Sequence, residues 1–455
     1  MSISVGVIGS GPSGIACMAA FNEYKKKNPT CEYKLTCYEK QNVTKGLWNV
    51  TWKTGVDSNG ESIHNSMYNN LWMNNPKEAV ELPFYSFDEH FKRALPSYLP
   101  YTVMQNYLEG YFNFANGKEH LRLQHSVKMC EWLEDEKKFK MTVYDLEKRE
   151  TYVDYHTHVI VATGHFSTPN LVEFPGFDTF EGRIVHAHDL REAREFNGQR
   201  VLLIGGRYSA EDIAMQLFKY GAEKITISYR SKPTMIGNIK EDLNQHPLLE
   251  KVEGNKCTFI DGTSEEYDSI ILCTGYRHNF PFMHSDLQLK PKAINPLWME
   301  DVWMGVVWEK NPNIFYMGMH DQVFSMPMFA AQAWFARDVI LGNIKYPSAE
   351  ERQKTHEEYQ AKADSIAALR CFIDFQGNYI KDLAALTDFP KYDTDGACQV
   401  IEDWCNNKIN DPMTFRDQIH TSVVTGTKCL PIKKTWKDNK ICSYEDFFKM
   451  YPNEE

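Results

Sequence analysis

The first residues able to do chemistry are Gly9-Ser10-Gly11-Pro12-Ser13-Gly14. In such a G-x-G-x-x-G turn, Gly9 permits the tight bend, Gly11 lets the backbone approach a pyrophosphate, and Gly14 lets a following helix pack close to its strand. The helix N-terminus then offers free N–H groups and a partial positive charge to the anion. Glu39 closes the next apolar run, Leu35-Thr36-Cys37-Tyr38, where a carboxylate suits the two hydroxyls of an adenosine ribose without a 2′-phosphate. FAD or NAD is favoured there over NADP. A second turn, Gly205-Gly206-Arg207-Tyr208-Ser209-Ala210, has Arg207 where the second glycine belongs and a tolerated Ala210 at the third position. Its following strand ends in Tyr229-Arg230-Ser231-Lys232, and a guanidinium there can grip a 2′-phosphate bidentately. The second nucleotide is therefore expected to be NADPH, and the pair of sites implies a flavoprotein that takes a hydride from it.

Each turn needs a strand before it and a helix after it. Ser4 to Ile8 precede the first turn and an apolar-faced run from Ile15 to about Lys27 follows; Arg200 to Ile204 precede the second, with helical spacing to about Tyr220. Lys224 to Tyr229 and Ile270 to Cys273 read as further strands. Thr163-Gly164 and Thr274-Gly275, each after an apolar strand, fit chain crossings between the two units. Residues 121 to 155 alternate polar and apolar, as a small antiparallel excursion does. Met328 to Leu341 has helical spacing, and Ser348 with Glu351 matches a capping box. Residues 42 to 120 read as irregular, and the stretch from about 390 onward as loop-rich. The expected fold is α/β with two Rossmann-like dinucleotide-binding domains: a large FAD domain formed by residues 1–170 and 282–455, and a smaller NADPH domain, 171–281, inserted in it.

The 455 residues include 50 Lys+Arg against 61 Asp+Glu, a net charge of −11 that repels nucleic acid and anionic lipid surfaces. No apolar run is long enough for a membrane span, and no basic leader precedes the first strand. The 11 cysteines are scattered without a C-x-x-C pair, which argues for free thiols in a reducing, cytoplasmic setting and against a metal site. Aromatic residues reach 13%, consistent with a large core and with walls for a flat-ring cofactor.

Taken together, Gly9-x-Gly11-x-x-Gly14, Glu39-x-Gln41, Gly46-Leu47-Trp48, Asn74-Asn75-Pro76-Lys77-Glu78, Ala162-Thr163-Gly164-His165 and Phe180-Glu181-Gly182-Arg183-Ile184-Val185-His186 resemble the flavin-containing monooxygenases. The Phe-x-Gly-x-x-x-His set is that family's signature. Ser66-Met67-Tyr68, Tyr208 to Asp212 and Met413 to Asp417 look most like the soluble branch typified by bacterial trimethylamine monooxygenases. The resemblance implies that NADPH reduces the flavin, that dioxygen adds to give a C(4a)-hydroperoxide, and that a soft nucleophile, a tertiary amine or a sulfide, takes the terminal oxygen. It also implies a homodimer.

Carried over residue by residue, the resemblance puts Ser13, Glu39, Gln41, Leu47, Trp48, His64, Val127, Gln322 and Ser325 at FAD. It puts Trp72, Tyr208, Ser209, Arg230, Ser231 and Arg416 at NADP, and Asn74 beside the flavin as the catalytic amide. An amide can donate to a peroxide oxygen without offering an acidic proton. His186 is read as bracing the linker between domains. Leu190 stands where the signature ends in Phe or Tyr, which speaks against Baeyer–Villiger relatives, and Met73 and Val323 replace a small polar residue and a tryptophan of the trimethylamine branch. The competing readings are a Baeyer–Villiger-type enzyme, a disulfide reductase, which would need a cysteine pair missing from residues 40 to 60, and an uncoupled NADPH oxidase or redox sensor.

Overall fold

The computed structural model describes residues 2–231 and 243–452, so Lys232 lies outside the described residues. β1 (Ile3–Ile8) runs into the first glycine turn and α1 (Pro12–Lys27) leaves it. Pro12 sits in the first helical turn, where its missing N–H costs no bond. β2 (Tyr33–Glu39) returns parallel to β1, and β3 (Leu121–Leu123) and β4 (His158–Val161) extend the sheet on either side. The second unit comprises β5 (Arg183–His186), β6 (Arg200–Ile204), α2 (Tyr208–Lys219), β7 (Lys224–Tyr229), β8 (Leu243–Pro247) and β9 (Ser269–Leu272). The chain then returns through β10 (Val302–Trp303), β11 (Val307–Trp308) and β12 (Ile314–Tyr316).

Two sheets result. One has seven strands in the order β10-β11-β12-β4-β1-β2-β3; the other has five, β8-β7-β6-β9-β5, all parallel. Parallel strands are covered on both faces, which is why β6 and β9 read as unbroken apolar runs rather than alternating ones. The two crossings between the sheets are bonded to each other: Thr168–Pro169 pairs with Tyr276–Arg277. Asn170 Nδ2 donates to the Thr274 carbonyl (3.1 Å), the Asn170 carbonyl accepts from Thr274 Oγ1 (2.6 Å), and Arg277 Nε donates to Asn170 Oδ1 (2.7 Å).

α3 (Met326–Ile340) packs on α1, and α4 (Ala349–Asp364), α5 (Leu369–Ala385) and α6 (Thr394–Asn410) follow. The capping box forms: the Ser348 hydroxyl accepts from Glu351 N, and Ser348 N donates to the Glu351 carboxylate at 2.9 Å. The antiparallel excursion is a three-stranded meander over His125–Leu133, Lys138–Asp145 and Glu150–His156.

Two stretches differ from the sequence reading. Inside residues 42 to 120, Tyr101–Phe114 is a helix whose Val103, Met104, Tyr107, Leu108, Tyr111 and Phe112 are buried, the 3.6-residue spacing having been masked by irregular flanks. Beyond 390, α6 is a full helix, capped by Asp393 and burying Ala397, Cys398, Val400, Ile401, Trp404 and Cys405. Much of the aromatic content joins these pieces: Phe84 meets the rings of Tyr111, Phe114, Trp334 and Phe389 at 4.9 to 6.2 Å.

α6 and the segment after it also bind the second unit to the first. Buried Lys408 pairs with Glu211 of α2, and buried Arg416 pairs with Asp212 while its Nε donates to the Met73 carbonyl at 3.0 Å. Among the described residues no helix is long and apolar enough to cross a membrane, and no His/Cys/Asp/Glu group has metal-site geometry. All eleven cysteines are unpaired; eight are buried, Cys31 and Cys442 are half-buried, and Cys371 is exposed.

Candidate active site

The two glycine turns repeat one construction. Gly9 N donates to the Tyr38 carbonyl (2.8 Å) and Gly205 N to the Ser228 carbonyl (2.9 Å), each reaching the neighbouring parallel strand. Both glycines have positive φ, +100° and +133°, and a Cβ would lie 2.7 Å from the Ala162 carbonyl oxygen at Gly9 and 2.2 Å from that of Cys273 at Gly205. Only glycine fits either place. Ala162 and Cys273 are themselves the residues that lead into the Thr-Gly crossings. At Gly14 a Cβ would meet the Gly9 carbonyl oxygen at 2.1 Å, so helix α1 can lie against its turn only without a side chain there.

A cavity of about 930 Å³ opens above the first turn and reaches the second unit at His188, Asp189 and Asp212. That is the upper end of the usual small-molecule range. Of the residues expected from sequence, Gly9, Gly11, Ser13, Glu39, Gln41, Leu47, Trp48, His64, Trp72, Asn74, Val127, Gln322 and Ser325 line it. Gly14 lies beneath the turn. Gly205, Tyr208 and Ser209 form the second turn and the start of α2, outside the cavity wall. Arg230 and Ser231 are exposed just after β7. Because Ile204 is opposite Ser228 in parallel register, they emerge at the same carboxyl edge as the second turn, where open α/β sheets bind ligands. Arg416 is buried behind the cavity, its guanidinium taken by Asp212 and the Met73 carbonyl with Nη1 left over. Tyr38, His188 and Phe329 also line the cavity, unselected from sequence because they converge only through tertiary packing, as do Gly46 and His165, which stand in the motifs of the resemblance but were assigned no contact there. Gly46 had a signal: its φ is +54°, and a Cβ on it would lie 2.9 Å from Gly11 Cα.

Glu39 is buried and holds the turn together, accepting from Ser10 N (2.9 Å), Ser10 Oγ (3.0 Å) and Gln41 N (2.9 Å). Burial raises its carboxyl above the usual range, and those three bonds oppose the shift. Burial also pushes His64 and His165 down to about 3, so both rings are neutral at any physiological pH. His186 is buried with Nδ1 accepting from His188 N (3.0 Å) and its ring edge-on to Tyr276 at 5.5 Å, a bracing arrangement beside the crossing. Trp72 donates through Nε1 to the Ile441 carbonyl at 3.2 Å and stands edge-on to Phe447. Asn74 lines the cavity, and its side-chain amide has no hydrogen-bond partner among the described residues. Among the described residues the Oε1 of Gln322 is likewise buried on the cavity wall without a partner, which a buried polar atom seldom is unless a ligand serves it. The dipolar wall, the flat aromatic surfaces of Trp48 and Trp72 and the glycine cradle fit a dinucleotide carrying a fused-ring system.

Comparison with known proteins agrees with this geometry. The family described as Flavin-binding monooxygenase-like matches residues 2–249 and 239–392. The trimethylamine monooxygenase of Methylocella silvestris is 43% identical, covering 97% of this chain and 97% of its own length, and that of Roseovarius nubinhibens is 44% identical, covering 96% and 97%. The crystal structure of Tmm from Pelagibacter sp. strain HTCC7211 superposes with a TM-score of 0.93 at 38% identity, over 98% of this chain and 100% of the other. The S-allyl-L-cysteine S-oxygenase of Allium sativum, at 21% identity and a TM-score of 0.79, shares the fold. The chain belongs to the flavin-binding monooxygenase-like family and is a flavin monooxygenase built on two Rossmann-like units.

Proposed function

We propose that this chain binds FAD at the first glycine turn and NADPH at the second, and uses dioxygen to oxygenate the nitrogen of a tertiary amine or the sulfur of a sulfide. The observation that carries the assignment is the contrast between two otherwise equivalent strand ends: the buried carboxyl of Glu39 beside the first turn and the exposed guanidinium of Arg230 beside the second. The first suits ribose hydroxyls and the second a 2′-phosphate. The flavin, once bound, supplies two-electron acceptance from the nicotinamide and activation of dioxygen. The protein's part is position and exclusion. Trp48, Trp72, Leu71 and Met73 wall the cavity against water, Asn74 presents an uncommitted amide to the reacting oxygen, and the neutral rings of His64 and His165 put no acidic proton beside it.

Residues 1–170 and 282–455 are proposed as the FAD domain and 171–281 as the NADPH domain, in a cytoplasmic homodimer. Trimethylamine-like amines are the first substrates to try, because trimethylamine monooxygenases are among the similar relatives, while Val323 at the wall, in place of a tryptophan, leaves room for larger apolar substituents and Met73 makes the wall more apolar. The test is to reduce the FAD-loaded enzyme with NADPH without oxygen, admit oxygen with or without trimethylamine or a dialkyl sulfide, and count N-oxide or sulfoxide against peroxide. Near one product per NADPH supports the reading; peroxide alone with every substrate makes the protein an oxidase or sensor.

A further inference from the structure

Arg207 breaks the glycine pattern of the second turn, and the fold does not require it. Its backbone (φ −120°, ψ −169°) is extended, so neither glycine nor any particular side chain is needed for the turn itself. It is the N-cap of α2, a helix of 12 residues, yet makes no side-chain capping bond. The side chain is 72% exposed, and its Nη1 lies 3.0 Å from Asp321 Oδ2. Asp321 is buried and rigid: its N donates to the Pro296 carbonyl and its carbonyl accepts from Gln376 Nε2 at 2.8 Å. The residues that follow it, Gln322 and Val323, line the main cavity. The guanidinium therefore spans from the nucleotide turn of one sheet to the cavity wall of the other.

We infer that Arg207 is a ligand of the pyrophosphate of the second dinucleotide, held by Asp321 until the nucleotide arrives. This rests on the second turn being a nucleotide site, as proposed above. As the N-cap residue, Arg207 stands at the end of α2 whose first free N–H groups address an anion, so its long side chain and those groups can serve one ligand. An ion pair this exposed on one side is weakly held, whereas a pyrophosphate offers two charges and a bidentate grip. The exchange gives the arginine a more highly charged partner and leaves the Asp321 carboxylate without its own, a cost the pyrophosphate contacts must exceed.

The inference is tested by calorimetric titration of the FAD-loaded protein with NADP⁺, NAD⁺ and 2′-AMP, the last lacking a pyrophosphate. Arg207→Ser is expected to raise Kd for NADP⁺ and NAD⁺ by the same factor, about ten-fold, and to leave 2′-AMP unmoved. Arg207→Lys restores part of the loss, and Asp321→Asn tightens NADP⁺ several-fold by removing the competitor. Arg230→Ala gives the opposite pattern, weakening NADP⁺ and 2′-AMP while sparing NAD⁺. If Arg207→Ser retains its flavin and binds both dinucleotides like the parent, the inference is overturned while the cofactor assignment stands on the Arg230 result. If the parent protein binds neither NADP⁺ nor 2′-AMP, the assignment itself falls, and the inference with it.

Discussion

At the scale of single residues, the side-chain amide of Asn74 makes no hydrogen bond among the described residues. Asn74→Ala should keep flavin reduction by NADPH near the parent rate and lower oxygenated product about 10²-fold, the usual cost of removing one preorganised donor. Peroxide would then account for the NADPH consumed; an unchanged product yield removes Asn74 from the mechanism. Gly14→Ala has a steric outcome. With a Cβ 2.1 Å from the Gly9 carbonyl oxygen, α1 must lift away from the turn, and the purified variant should come colourless or lose its flavin on gel filtration. Gly14 was legible in the sequence because the spacing of its motif is local, and Asn74 only through the resemblance. Tyr38 and Phe329 were not, since they reach the cavity from a separate strand and helix, and no short-range pattern announces that convergence.

At the scale of elements, α6 acts as a clamp on α2. Lys408 and Glu211 are both buried, so removing one partner leaves an uncompensated charge. Lys408→Met should lower stability by about 3–5 kcal/mol, while Lys408→Met combined with Glu211→Leu recovers much of it. Guanidinium unfolding followed by tryptophan fluorescence reads both, and equal stability of the single variant and the parent would show the pair to be idle. The β-α-β units and the capped helix at Ser348 could be read in advance because strand, turn, helix and cap signals agree there. The Tyr101–Phe114 helix and α6 could not, for a different reason: their apolar faces are read clearly only once their partners are known, since each packs on aromatic side chains distant in the chain. Arg416, which the resemblance puts at NADP, bonds Asp212 and the Met73 carbonyl in this structure.

For the whole molecule, stability should depend on pH through a buried carboxyl remote from both turns. Burial raises Glu81 to about 7, although Ser422 Oγ (2.5 Å) and Phe87 N (3.2 Å) both donate to it. A carboxyl raised in the fold favours folding while protonated; its contribution is whole below the ordinary value of 4.5 and is lost as pH rises through 7. Glu81→Gln can accept from Phe87 N and donate to Ser422 without titrating. Above pH 7 it should be the more stable protein, by something on the order of 2 kcal/mol, with the gap closing at pH 4.5. Parallel melting curves at the two pH values check this, and a constant gap would assign the effect to packing instead. The burial of the thiols carries a different kind of consequence. A monooxygenase that misfires releases hydrogen peroxide inside its own shell of water, so its lifetime is set partly by what that oxidant can reach. Burial raises Cys17, Cys130, Cys257, Cys405 and Cys429 to about 12, which leaves almost no thiolate to be oxidised. Cys371 alone is exposed, on α5. After many idle turnovers, mass spectrometry should find the first added oxygen there, and Cys371→Ser should extend shelf life without altering a single turnover.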